Sequence, residues 1–220
     1  MDGCVPTGSG LDQTMSSGSA ITDSPTAPIP PVVPSGRMAA LAQPSYALPC
    51  GLYLRPWESY DAPALVAAYA DPDIRHWNRP DPLTEEQAVT RIARWHERRL
   101  AERSAVWALA PADGGCAVGL IGLADVDLRG GSAEFMYWLL PAGRGAGATT
   151  EGLNVLTHWA FGELGLHRLR ITHSTANPPS CHVALKAGYP LEGTMRGALL
   201  HTDGWHDEHL HARLSTDADQ

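Results

Sequence analysis

The feature that most constrains this chain is a short glycine-rich turn set between an apolar run and an amphipathic helix. Phe135 to Leu140 is apolar, and Arg144-Gly145-Ala146-Gly147-Ala148-Thr149-Thr150-Glu151 follows it. Leu153, Leu156, Trp159, Ala160 and Leu164 then recur at three- and four-residue spacing, which places them on one helix face. The stretch reads as strand, turn and helix. Such a turn presents several backbone N–H groups at a helix N-terminus, where the helix dipole also favours negative charge, and phosphate is the usual guest. No Gly-Lys-Ser/Thr closes it, so it is not a Walker loop. Its spacing is not Gly-x-Gly-x-x-Gly, so it is not the dinucleotide fingerprint either.

A second cluster lies downstream. Asn177-Pro178-Pro179-Ser180 opens a short helix that ends at Lys186-Ala187-Gly188-Tyr189, and Leu191-Glu192-Gly193 follows. Together with the Arg-x-x-Gly loop and Thr150-Glu151, these residues resemble the GNAT N-acetyltransferases, and within them the branch that acetylates ribosomal-protein N-termini. Thr149 stands where that family usually has Gly or Ala. The likeness runs from about Leu52 to Leu214. A tight turn in some other α/β fold is the competing reading of the glycines.

The chain has 220 residues, enough for one sizeable core, and 44% of them are hydrophobic, with no apolar run long enough to span a bilayer. A net charge of −8 argues against a general nucleic-acid binder and suits an amine-bearing substrate. Cys4, Cys50, Cys116 and Cys181 are scattered, so neither a zinc motif nor a disulfide framework is indicated. The N-terminus shows no basic segment followed by an apolar stretch, and a cytoplasmic protein without membrane attachment is expected. Residues 1–48 are rich in Ser, Thr, Gly and Pro without apolar period, and read as a disordered tail. The expected folded domain is 49–215, with 216–220 as a C-terminal tail.

Leu52 to Trp57 reads as a strand, and Asp61 as the cap of a helix that stops at Asp71-Pro72. Asp73 to Asn78 reads as an aromatic, polar loop or short turn. Thr84-Glu85-Glu86-Gln87 is close to a capping box, starting a helix that carries Val89, Ile92, Trp95 and Leu100. Paired glycines then separate strands at Ala105 to Ala110, Cys116 to Val126 and Ala133 to Leu140. A strand from His167, the Pro178 helix and a hairpin around Asp203-Gly204 complete the order. The fold class is α/β in the mixed sense (α+β). The resemblance implies a GNAT fold with a central, mostly antiparallel sheet of six to seven strands and helices on both faces. It also implies a wedge where the strands flanking the loop and its helix splay apart.

For the site, the resemblance implies acetyl-CoA as co-substrate, bound through Leu139, Leu140, Arg144, Gly145, Ala146, Gly147, Ala148, Thr149, Asn177 and Ser180. Ser180 would donate to the leaving thiolate, because Ala184 occupies the position where many relatives carry a tyrosine. Asn177 reads equally well as a helix cap. Glu134 is the candidate general base, with a cross-strand surface carboxylate as the plainer reading. His76 and Trp77 fall in the loop expected to cover the amine substrate, and Met136 replaces a usual Gly and narrows the acceptor pocket. No metal is expected: Asp207, His209 and His211 share one strand face, but groups so stacked are about 6–7 Å apart. Asp207 instead matches an Asp carried by the family. The implied activity is N-acetyl transfer to a protein N-terminus or small-molecule amine, by a monomer or homodimer without nucleic-acid or membrane partners. A non-catalytic acyl-CoA-binding or protein-interaction module is the rival, and the intact loop with Asn177 and Ser180 favours the enzyme.

Overall fold

The structure, a computed structural model, describes residues 28–217. One sheet of eight strands is ordered β1-β2-β3-β4-β5-β6-β8-β7. The strands are β1 (Tyr46–Ala47), β2 (Leu52–Pro56), β3 (Ala105–Pro111), β4 (Gly119–Asp127), β5 (Ser132–Leu139), β6 (Arg168–Ser174), β7 (Leu191–His201) and β8 (Gly204–Leu214). All neighbours are antiparallel except β5 and β6. The helices are α1 (Arg37–Ala40), α2 (Ala62–Ala70), α3 (Pro72–Asn78), α4 (Glu85–Leu100), α5 (Ala148–His158) and α6 (Pro178–Lys186), and α5 runs on as a π-helical turn, Trp159–Leu164. The mixed fold and its helices on both faces are as expected; the eighth strand is β1.

The composition of β3 shows why the sheet sits mid-molecule. Its residues 105–110 are apolar and all buried. Ala105, Trp107 and Leu109 join the core under α5 and α6, while Val106 and Ala108 join the core under α2, α3 and α4. Alternate side chains of a strand point to opposite faces, so a strand covered on both sides reads as a continuous apolar run. Gly122 is needed for close approach: a Cβ there would lie 2.6 Å from the Ala105 carbonyl oxygen across the β3–β4 pair. On α5, Leu153, Leu156, Trp159, Ala160 and Leu164 are all buried, as their spacing predicts.

Several expectations are corrected. Residues 28–48 do not behave as a tail: Val33, Met38 and Leu48 are buried in the core. Glu102 caps α1, accepting from the amides of Gly36 at 2.7 Å and Met38 at 2.7 Å. Arg99 donates to the carbonyls of Met38 and Leu41 at the other end. The expected tail over 1–27 and the last residues, 218–220, lie outside the described residues. On α4 the capping box of Thr84 and Gln87 forms, but the buried face is Ala88, Ile92, Trp95 and Arg99, leaving Val89 and Leu100 exposed. The helix is turned because its inward stripe also meets segment 28–48, which Arg99 serves.

Asp73 to Asn78 is helix rather than a loop or short turn. Asp71 ends α2, and its side chain also accepts from the Ile74 amide at 2.9 Å, with Pro72 in the first turn of α3. Proline at that position costs the helix no hydrogen bond. Asp61 does not cap α2. It is fully buried and takes two hydrogen bonds from the Arg55 guanidinium, at 2.7 and 2.9 Å. It also accepts from the amides of Glu58 at 3.0 Å and Ala117 at 2.8 Å.

Candidate active site

The parallel strands β5 and β6 pair only over Ser132–Glu134 and Arg168–Arg170. Beyond that point β6 stays with β8, while β5 stays with β4. The two diverge into the expected wedge, and among the described residues one edge of β5 from Phe135 onward has no strand beside it. A cleft of about 1030 Å³ opens there, between the loop at 144–149, the start of α6 and the α3 helix.

The glycine loop closes one end. Gly145 and Gly147 adopt positive φ, 88° and 81°, which L-residues other than Gly take up with strain. These dihedrals turn the chain from β5 into α5 and leave the amides of Gly145, Ala146, Gly147 and Ala148 without acceptors among the described residues. The α5 N-terminus adds its dipole. Arg144 does not stand free for an anion. Its guanidinium pairs with Asp73 at 2.8 Å and Asp71 at 3.2 Å, and its Nε donates to the Leu139 carbonyl at 3.0 Å. The loop is thereby tied to the α3 N-terminus.

At the other end, Asn177 caps α6 by accepting from the Ser180 amide at 3.2 Å. The Ser180 hydroxyl oxygen lies 2.7 Å from the phenol oxygen of Tyr137 on β5. Burial pushes the Tyr137 phenol up to about 12, so it holds its proton at neutral pH. Glu134 also faces the cleft. One of its oxygens accepts from Arg170 Nε at 2.7 Å and the other from Thr172 Oγ1 at 2.6 Å. These bonds fix the carboxylate on the cleft wall while leaving each oxygen a further lone pair.

Residues 51–190 match the family described as "Acetyltransferase (GNAT) domain". The chain belongs to the GNAT acetyltransferase family. It is 32% identical over 97 residues to the ribosomal-protein-serine acetyltransferase of Escherichia coli, an alignment covering 44% of this chain and 54% of that protein. The chain thus spans about half the length of that relative. A Bacillus subtilis protein described as "Probable N-acetyltransferase YjcK" is 27% identical over 176 residues, covering 77% of this chain and 97% of its own. Among solved structures, Mycobacterium smegmatis RimJ in complex with CoA-disulfide superposes with a TM-score of 0.70 at 24% identity, over 80% of this chain and 88% of that one. That likeness shows the GNAT fold.

Of the residues singled out in the GNAT sequence pattern, Glu134, Leu139, Arg144, Gly145, Gly147, Ala148, Thr149, Asn177, Ser180 and Trp77 line the cleft. Leu140, Ala146 and His76 do not. Leu140 packs toward the α2–α4 core, and its amide is bound to the Val118 carbonyl at 2.8 Å. The His76 carbonyl receives the His201 ring nitrogen at 2.8 Å, which docks α3 on the β7–β8 hairpin. Met136 lines the cleft as expected. Asp207 serves the hairpin, accepting from the Gly197 amide at 2.8 Å beside the irregularity in β7. Tyr137 was missed. Its only sequence signal was a polar hydroxyl in the apolar run 135–140, and its partner lies 43 residues away.

Proposed function

We propose that this protein transfers the acetyl group of acetyl-CoA to a primary amine, foremost a peptide N-terminus, by direct attack in a ternary complex in the cytoplasm. The observation that carries this reading is the row of acceptor-free amides at Gly145–Ala148, at the end of a cleft that also holds the Ser180–Tyr137 pair. The amides and the α5 dipole suit a pyrophosphate. Coenzyme A in the RimJ complex supports this ligand. The bare edge of β5 past Glu134 suits the pantetheine amides, which would pair with it as an added strand.

The chemistry follows from the wall. The amine nitrogen attacks the thioester carbonyl, a C–N bond forms, and the C–S bond breaks. The amine proton leaves through a water to Glu134. Tyr137 donates to the Ser180 oxygen, which frees the serine proton to point at the departing sulfur. The buried phenol keeps its own proton, so Ser180 acts as hydrogen-bond donor to the thiolate while solvent completes its protonation. The ribosomal-protein-serine acetyltransferase relative supports a peptide acceptor. Trp77 and Met136 border the space where that acceptor would enter.

The test is thiol release from acetyl-CoA across a panel of amines: peptides with free Ser or Ala N-termini, polyamines and amino sugars. Release above background hydrolysis with peptides is expected. Tight acetyl-CoA binding with no acceptor turned over would favour the non-catalytic module instead.

A further inference from the structure

Beside the cleft, four metal-ligating side chains from three elements converge. His173 on β6 stands directly opposite His209 on β8. His211 is two residues further along β8, so all three rings fall on one sheet face. Cys181, in the first turn of α6, closes over them. One ligand atom from each residue can be chosen such that all four lie within 4.8 Å of one another. A single strand face would have spaced its ligands too widely. The neighbouring strand and the helix remove that obstacle.

The protonation pattern is the telling part. His211 Nδ1 lies 2.9 Å from the Tyr189 carbonyl oxygen, and His173 Nδ1 lies 2.8 Å from the Ser174 carbonyl oxygen. A carbonyl can only accept, so each ring carries its proton on Nδ1. The two Nε2 atoms then present lone pairs to each other, 3.2 Å apart. Two facing acceptors repel unless a cation lies between them. Among the described residues His209 Nδ1 is buried without a hydrogen-bond partner, and Cys181 Sγ is 3.9 Å from His211 Nε2. In tetrahedral zinc with bonds of about 2.0 Å to nitrogen, neighbouring nitrogens sit about 3.3 Å apart.

We propose that His173, Cys181, His209 and His211 form a binding site for one zinc ion. Three imidazoles and a thiolate suit this borderline-soft cation, and carbonyl partners on the far nitrogens are the usual support of zinc-bound histidines. The Cys181 S–H bond breaks on binding, its proton goes to solvent and an S–Zn bond forms. Four protein ligands leave no open position, so the ion is structural. It would pin the first turn of α6 to β6 and β8, and so fix Ser180, the neighbour of Cys181, on the cleft wall.

The experiment uses untagged full-length protein stripped with a chelator, then titrated with zinc alone and with cobalt(II) as a spectroscopic stand-in. Expected are one ion per chain, intense tetrahedral cobalt absorption with a thiolate charge-transfer band, and a higher Tm with zinc. Cys181→Ser loses the charge-transfer band, and His209→Gln weakens zinc binding at least tenfold while remaining folded by circular dichroism. No binding, a pale octahedral spectrum, or a spectrum unchanged in both variants would overturn the proposal. The last result would place the metal on other histidines.

Discussion

The phenol oxygen of Tyr137 lies 2.7 Å from the hydroxyl oxygen of Ser180, joining the β5 strand to the first turn of α6 across the base of the wedge. A tyrosine held protonated by burial is a good donor and a poor acid. Tyr137→Phe should therefore lower kcat by about fivefold, the worth of one hydrogen bond of about 1 kcal/mol, with KM for acetyl-CoA little changed. Ser180→Ala should lower kcat by about a hundredfold at similar acetyl-CoA affinity. Steady-state kinetics on both variants decides it; a Ser180→Ala enzyme with near-normal kcat would remove serine from the chemistry.

Arg144 is shared between the glycine loop and α3. Its partners Asp71 and Asp73 would compete with the proposed pyrophosphate for the same guanidinium. Releasing it with Asp73→Asn should tighten acetyl-CoA binding about two- to threefold, the scale of an exposed ion pair, and the gain should shrink at high salt. Calorimetry at two ionic strengths reads this directly. Weaker binding in Asp73→Asn would mean that the pair positions the loop instead of restraining it.

Met38 is fully buried within the main core although it lies in a stretch of Ser/Pro/Gly-rich composition. Met38→Ala should cost about 2–5 kcal/mol, the range for truncating a packed core side chain. Removal of residues 28–48 should cost more and uncover Arg99. Urea unfolding of Met38→Ala with an unchanged midpoint would show that this segment does not pack as described.

Asp61 sets the acid limit. Burial by itself would raise its carboxyl, but the Arg55 guanidinium and the amides of Glu58 and Ala117 outweigh that and hold it below the usual carboxylate value. A carboxyl depressed in the folded state contributes stability that is complete above its unfolded value near about 3.9 and is lost as pH falls through the folded value. Asp61→Asn should be about 3 kcal/mol less stable at neutral pH, because it strands Arg55, and its stability should fall less steeply below pH ~4. Urea midpoints at pH 7, 4 and 3 provide the check.

What could be read in the sequence was what repeats locally. The α5 stripe from Leu153 to Leu164, the Thr84–Gln87 box and the Asp203-Gly204 hairpin each carry their signal within a few residues. The glycine loop was legible for the same reason. What escaped depends on partners distant in sequence. The carboxylate that orders α1 is Glu102, 64 residues beyond the Met38 amide it binds. Tyr137 finds Ser180, and His173 finds His211, only after the sheet has formed. Asp71 was half legible: the same residue that stops one helix starts the next, and composition shows only the stop.

On the proposed reading, the Gly145–Ala148 amides receive the pyrophosphate of acetyl-CoA. Gly147 lines the cleft, and a Cβ on it would meet no atom of the described residues within 4 Å, so a side chain there would take up cleft space that the proposed ligand needs, while the φ of 81° adds some strain. The decisive measurement is calorimetric titration of acetyl-CoA into the wild type and into Gly147→Val protein shown to be folded by circular dichroism. One site per chain is expected in the wild type, and at least a hundredfold weaker binding in the variant. Equal affinity in the two proteins would contradict it.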